Sequence, residues 1–159
     1  MPRSTFVTSL NDKEFLEELS EYCNNARNFV ESDPPLSAIY ARKAVEFLVK
    51  HIYKKIGAKI PDNVSLCELI DNEIIKDFLG VDIIFRLNNI LIIGAIAMRD
   101  EYKQEITITV SLRIVKELRS CEHDILHIRC LIERYKMLSY LRNLRRPKLS
   151  KSIRQYCDA

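Results

Sequence analysis

The chain has little of what breaks or turns a backbone. Three glycines (Gly57, Gly80, Gly94) and five prolines punctuate 159 residues, and each glycine stands alone between long periodic stretches. Hairpins need closely spaced turn residues, so this spacing predicts long helices rather than a strand-rich fold. The longest apolar run, Ile90 to Met98, is far short of the roughly 20 residues that cross a bilayer, and no membrane span is expected. The opening Met-Pro-Arg-Ser-Thr-Phe lacks the apolar core and cleavage site of a secretory signal, which points to the cytoplasm. Five cysteines (Cys23, Cys67, Cys121, Cys130, Cys157) form no CxxC pair and are odd in number. Reduced, mostly buried thiols are expected from them. No GxGxxG, P-loop, HExxH or GxSxG occurs, which removes the common nucleotide-binding, zinc-protease and serine-hydrolase signatures.

What is present points to a folded core. The residues AVILMFWYC make up 47% and DEKR 30%, a balance of neither a disordered chain nor an integral membrane protein. The length suits one domain, expected over residues 1–145, followed by a basic, flexible tail over 146–159. Charge is uneven. Residues 129–159 hold nine Lys/Arg against two Asp/Glu, a net of +7, which leaves −4 on the first 128 residues when subtracted from the total of +3. A basic end of this kind suits nucleic acid or another acidic partner, and a solvated tail is the alternative.

Apolar periodicity gives the elements. Phe15, Leu16, Leu19, Tyr22, Cys23, Ala26, Phe29 and Val30 mark one face of a helix over about 12–30, capped at Asn11 or Asp12. Ser32-Asp33-Pro34-Pro35 ends it and opens the next, over about 35–56, which Gly57 terminates. Ser65-Leu66-Cys67-Glu68 reads as a capping box for a short helix to Asp71, and a second short helix follows over 73–79. The segment from Val81 to Met98 is ambiguous, because Ile90-Leu91-Ile92-Ile93 has the β-branching of a strand. Its polar flank and helical neighbourhood favour a buried helix. A charged linker leads to a long helix from Thr107 or Thr109 to about Leu144, with Leu118, Cys121, Ile125, Ile128, Ile132 and Tyr135 on one face. The expectation is all-α, a four- or five-helix up-and-down bundle with a basic C-terminal extension.

Three constellations could carry chemistry. In Cys121-x-His123-x3-His127-x2-Cys130, a helix puts His123, His127 and Cys130 within about 60° of one another and turns Cys121 to the apolar side. Three ligands from one segment fall short of a four-ligand structural zinc site, so neither metal nor cofactor is expected; the alternative is an exposed polar face shared with Lys116, Arg119 and Arg134. Glu14, Glu17, Glu18 and Glu21 read as a solvated helix face rather than an acid–base pair. The third set, Arg134, Lys136, Arg142, Arg145, Arg146, Lys148, Lys151 and Arg154, is interleaved with Tyr135, Tyr140 and Tyr156. Its cations would neutralise phosphates and its rings stack on unpaired bases, which makes RNA or DNA a candidate partner.

The stretch from Ser32 to Lys50, with Ala41-Arg42-Lys43-Ala44-Val45-Glu46-Phe47-Leu48-Val49-Lys50 at its centre, resembles the ARKxxExLxK signature of the domain of unknown function family 4145. The likeness continues through Leu66 to Ile70, Ile84 to Leu87 and Gly94 to Met98, over roughly residues 10–128. That family occurs at the N-terminus of many type I restriction R subunits. It belongs to the HEPN-like helical domains, many of which dimerise and some of which cut RNA. The resemblance therefore implies a helical bundle, a homodimer or larger defence-type complex, and a site built on Arg-x-x-Gly-Asn-x-Ala-Val-His. Here Gly94 and Ala97 match and Met98 replaces valine, but Leu91, Ala95 and Arg99 stand where arginine, asparagine and histidine are usual. Cleavage of this type needs a base for the 2′-hydroxyl and a cation for the phosphorane. Leu91 supplies neither, and the always-protonated Arg99 is no base. The expectation is a non-catalytic binding or assembly module, with Leu91 and Ala95 covered by a dimer partner. The competing expectations are a ribonuclease with a relocated centre at Arg119, His123 and His127, and a nucleic-acid adaptor using the basic end.

Overall fold

The computed structural model describes residues 10–145, without the side chains at 10–12, 78, 122, 123, 125–136, 139 and 143–145. Among the described residues the chain is all-α. It forms α1 (Leu10–Asn28), α2 (Pro34–Ile56), α3 (Leu66–Asp71), α4 (Glu73–Leu79), α5 (Val81–Ala97), a 3-10 turn (Lys103–Glu105) and α6 (Ile108–Arg145). With the short α3 and α4 there are six α-helices among the described residues. The ambiguous 90–93 segment is helical: Leu87, Ile90, Leu91, Gly94 and Ala97 are buried at helical spacing, which a strand would send to alternate faces. The first helix starts earlier than its expected cap, with Asn11 and Asp12 inside it, and ends at Asn28 rather than Val30.

Local chemistry accounts for most boundaries. The Asp33 carboxylate accepts from the Leu36 amide and Pro34 occupies the first turn of α2, while Gly57 closes that helix at φ 71°. At φ 71° a side chain would be strained, so glycine is the natural stop. The capping box of α3 forms in both directions, Glu68 N to Ser65 Oγ at 3.3 Å and Ser65 N to Glu68 Oε2 at 2.7 Å. Asn72 ends α3 and caps α4.

Packing is organised around α2, which lies against α1, α5 and α6. Ala38, Ala41, Ala44, Val45, Leu48, Val49, Ile52 and Tyr53 are all buried on it, a stripe too broad for one neighbour. Toward α1, Phe15 stacks on His51 and Phe47, and the buried Ser37 hydroxyl donates to the Ala26 carbonyl at 2.5 Å. The Tyr53 hydroxyl donates to the Leu69 carbonyl at 2.9 Å, tying α3 to the core. Cys23 and Cys121 are buried as expected, whereas Cys67 is exposed. Cys130, Cys157 and the expected flexible tail lie outside the described residues or side chains. No helix among the described residues is long and apolar enough to cross a membrane.

Candidate functional site

The segment that the resemblance singles out lies where α5 crosses α2. A Cβ on Gly94 would stand 2.5 Å from Arg42 Cβ and 3.0 Å from the Ala38 carbonyl oxygen, closer than real atoms approach. Glycine is therefore required for the two helices to meet here, helped by Ala38, Ala41 and Ala97, all fully buried. Arg42 uses its guanidinium to brace the same crossing, donating from Nη1 to the Leu91 carbonyl at 2.9 Å. The matched positions Ala41, Arg42, Gly94 and Ala97 thus serve packing.

The three departing positions do not converge. Leu91 is fully buried in the chain's own core, Ala95 is half-buried, and Arg99 is exposed just beyond the end of α5. Leu91 needs no dimer partner to cover it, which corrects the expectation that it would meet one. A polar group at 91 would sit among Ile90, Leu87 and the apolar face of α2 rather than in a cleft. The outer side of α5 is apolar instead: Val81 (85% exposed), Phe85 (65%) and Ile92 (54%) line up on it with Ala95. One helical face therefore combines solvent contact with large hydrocarbon side chains.

A polar seam that sequence reasoning missed runs between α5 and α6. Arg86 Nη1 donates to Ser120 Oγ at 2.8 Å and lies 3.7 Å from Asp124 Oδ2. Ala97 packs in one cluster with Val110 while Arg86 meets Ser120, so residue numbers run in opposite directions along the pair. Asn89 Nδ2 and Glu117 Oε2 are both buried without a hydrogen bond to protein; the other carboxylate oxygen of Glu117 lies 3.6 Å from Arg113 Nε. A buried amide nitrogen and a buried carboxylate oxygen without hydrogen bonds are costly in such a seam.

Of the relocated centre, Arg119 is exposed and borders a cleft of about 450 Å³ between the end of α1 and α6. It is lined by Arg27, Lys116, Arg119 and Glu31 together with Val30, Leu112 and Val115, and Arg27 also donates to Asn24 Oδ1 at 2.9 Å. The side chains of His123, His127 and Cys130 lie outside the described residues. Cys121 points inward, as its spacing predicts, and burial pushes its thiol up to about 11. A thiol so protonated is a poor metal ligand and a poor nucleophile at neutral pH. Among the described residues no three His, Cys, Asp or Glu side chains gather as for a metal. In the basic set, Arg142 is exposed on α6 beside exposed Tyr140, the side chain of Arg145 lies outside the described residues, and so do Arg146, Lys148, Lys151 and Arg154 altogether. No family model, curated protein or solved structure matches the chain.

Proposed function

We propose that the chain is a non-catalytic HEPN-like binding and assembly module, working by self-association within a restriction or anti-phage defence complex in the cytoplasm. The defence setting and the HEPN-like identity rest on the resemblance alone. The observation that carries the non-catalytic reading is the use of residues 91–99. Leu91 is committed to the core, its carbonyl is taken by Arg42, and Gly94 is committed to a helix crossing. Large apolar side chains at Val81, Phe85 and Ile92 remain uncovered nearby, as contact surfaces for a protein partner do.

Two experiments separate this reading from the ribonuclease with a centre at Arg119, His123 and His127. Purified protein at micromolar concentration should leave single-stranded RNA intact, and should sediment as a species larger than the monomer. Metal-independent RNA cleavage that disappears in His123→Ala would overturn the reading.

A second reading, a nucleic-acid adaptor, is favoured by the cationic cleft of Arg27, Lys116 and Arg119 and by the exposed pair Tyr140 and Arg142. On that reading, removal of Pro147 to Ala159 weakens binding to an oligonucleotide and flattens its salt dependence. Equal affinity and equal salt slope after truncation would end it.

A further inference from the structure

The C-terminal part of α6 is the least accounted-for element of the molecule. α6 has 38 residues, roughly 57 Å at the rise of an α-helix, whereas α2, the next longest, has 23 and spans roughly 35 Å. Its early turns are ordinary core, with Ser111, Ile114, Val115, Leu118 and Cys121 buried. Farther along, Met137 (59%), Leu138, Tyr140 (65%), Leu141 and Arg142 are all exposed. At 100° per residue these five positions cover more than half of the helix circumference, and all five face solvent.

Composition makes this exposure unusual. Residues 125–145 contain twelve of the set AVILMFWYC and five Lys/Arg against one Glu. By sequence spacing, Ile125, Ile128, Ile132 and Tyr135 continue the three-and-four rhythm of the buried Ser111, Ile114, Leu118 and Cys121. Such a rhythm sustained along a helix is the seam of a helix–helix contact. A helix that is apolar on several sides is stable only when covered on several sides. A nucleic-acid backbone would neutralise the cations and leave Met137, Leu138 and Leu141 wet, so the apolar residues favour a protein partner.

The complementary charge is on the chain itself. α1 carries five carboxylates against Lys13 and Arg27. Glu14, Glu17, Glu18 and Glu21 are exposed within about 100° of one another, away from buried Phe15, Leu19, Cys23 and Ala26.

We propose that the exposed stretch Met137 to Arg142 of α6 is a dimerisation arm: two copies of this chain pack these stretches together, and Arg142 of each lies over the acidic face of the partner's α1. The arrangement is two-fold and self-complementary. It rests on the assembly reading above, but assigns self-association to α6 and α1 and leaves the exposed apolar face of α5, which supports that reading, to a different protein of the complex.

Sedimentation of the full chain tests it. Wild type is expected to be a dimer at micromolar concentration. Met137→Glu combined with Leu141→Glu should weaken it by roughly 100-fold or more, since burying each such side chain is worth about a tenfold factor or better. Glu17→Lys with Glu21→Lys should weaken it less, and Phe85→Glu with Ile92→Glu should leave it dimeric. All six residues are exposed, so the unfolding midpoint of the bundle should be unchanged in each variant, and only the arm variant should lose helicity, by no more than the distal part of α6 contains. A dimer that survives the arm variant and is lost in the α5 variant overturns the arm while leaving the assembly reading intact. A dimer indifferent to the α1 substitutions overturns the charge pairing. A monomeric wild type overturns both proposals, and one that binds a single-stranded RNA oligonucleotide through residues 137–142 assigns the arm to nucleic acid instead.

Discussion

The two halves of α6 are one continuous helix with opposite circumstances. In the first, Ser111, Ile114, Val115, Leu118 and Cys121 are buried against α2 and its neighbours; in the second, every described side chain from Met137 to Arg142 is exposed. Helix propensity does not differ enough to distinguish them, since both halves are rich in leucine, isoleucine and arginine. Burial does. Isolated helical segments of this length are marginal in water and draw their stability from tertiary packing. The first half is held by this chain, whereas the described side chains of the second, from Met137 to Arg142, face solvent.

The same charge placed in the two environments should have very different consequences. Leu91→Arg, which restores the residue usual at that position in the resembled family, buries an unpaired guanidinium and should cost about 3–5 kcal/mol in thermal unfolding. Leu141→Arg, measured in dilute protein, should stay within about 0.5 kcal/mol of wild type. Equal losses would mean that the distal half is core after all. Next in size is Gly94→Ala: α2 and α5 must separate to admit the new methyl, at about 1–3 kcal/mol, readable as a lower urea midpoint. Arg42→Met should follow at about 1.5 kcal/mol, because the Leu91 carbonyl loses a charged donor.

Smaller still is Ser65→Ala, which removes a helix cap and should cost on the order of 1 kcal/mol. Hydrogen bonds from the backbone and side chain of Ser65 hold the Glu68 carboxyl below its ordinary value. A depressed carboxyl stabilises the fold above the unfolded value and ceases to do so as pH falls through the folded one. The gap between Ser65→Ala and wild type should accordingly narrow in acid. The smallest effect is a rate: at mildly alkaline pH, alkylation followed by peptide mapping should label exposed Cys67 well before Cys121, whose buried thiol is pushed up to about 11.

Local chemistry was legible in the sequence wherever one short segment contains both partners. The proline entry to α2, its glycine exit, the reciprocal cap of Ser65 and Glu68, and the inward face of Cys121 all follow from neighbours a few residues apart. The β-branched run at 90–93 is helical because tertiary context overrides propensity: the flanking Leu87, Gly94 and Ala97 extend its buried spacing. The candidate site was legible only in part. Arg42 and the Leu91 carbonyl are 49 positions apart, and Arg86 and Ser120 are 34. Such pairs are fixed by which helices pack together, and no local pattern announces them. The same holds for the cleft that joins Arg27 of α1 to Lys116 and Arg119 of α6. Leu91 shows a different limit: its identity departs from the arginine of the resembled motif, but only packing reveals that its position is interior.

The most direct measurement of the central contrast is amide hydrogen exchange along α6 as a function of protein concentration. Residues 108–121 should stay protected at every concentration, and residues 137–145 should be protected only when the chain is concentrated enough to assemble, losing that protection on dilution. Protection of 137–145 that is the same at high and low concentration would contradict it.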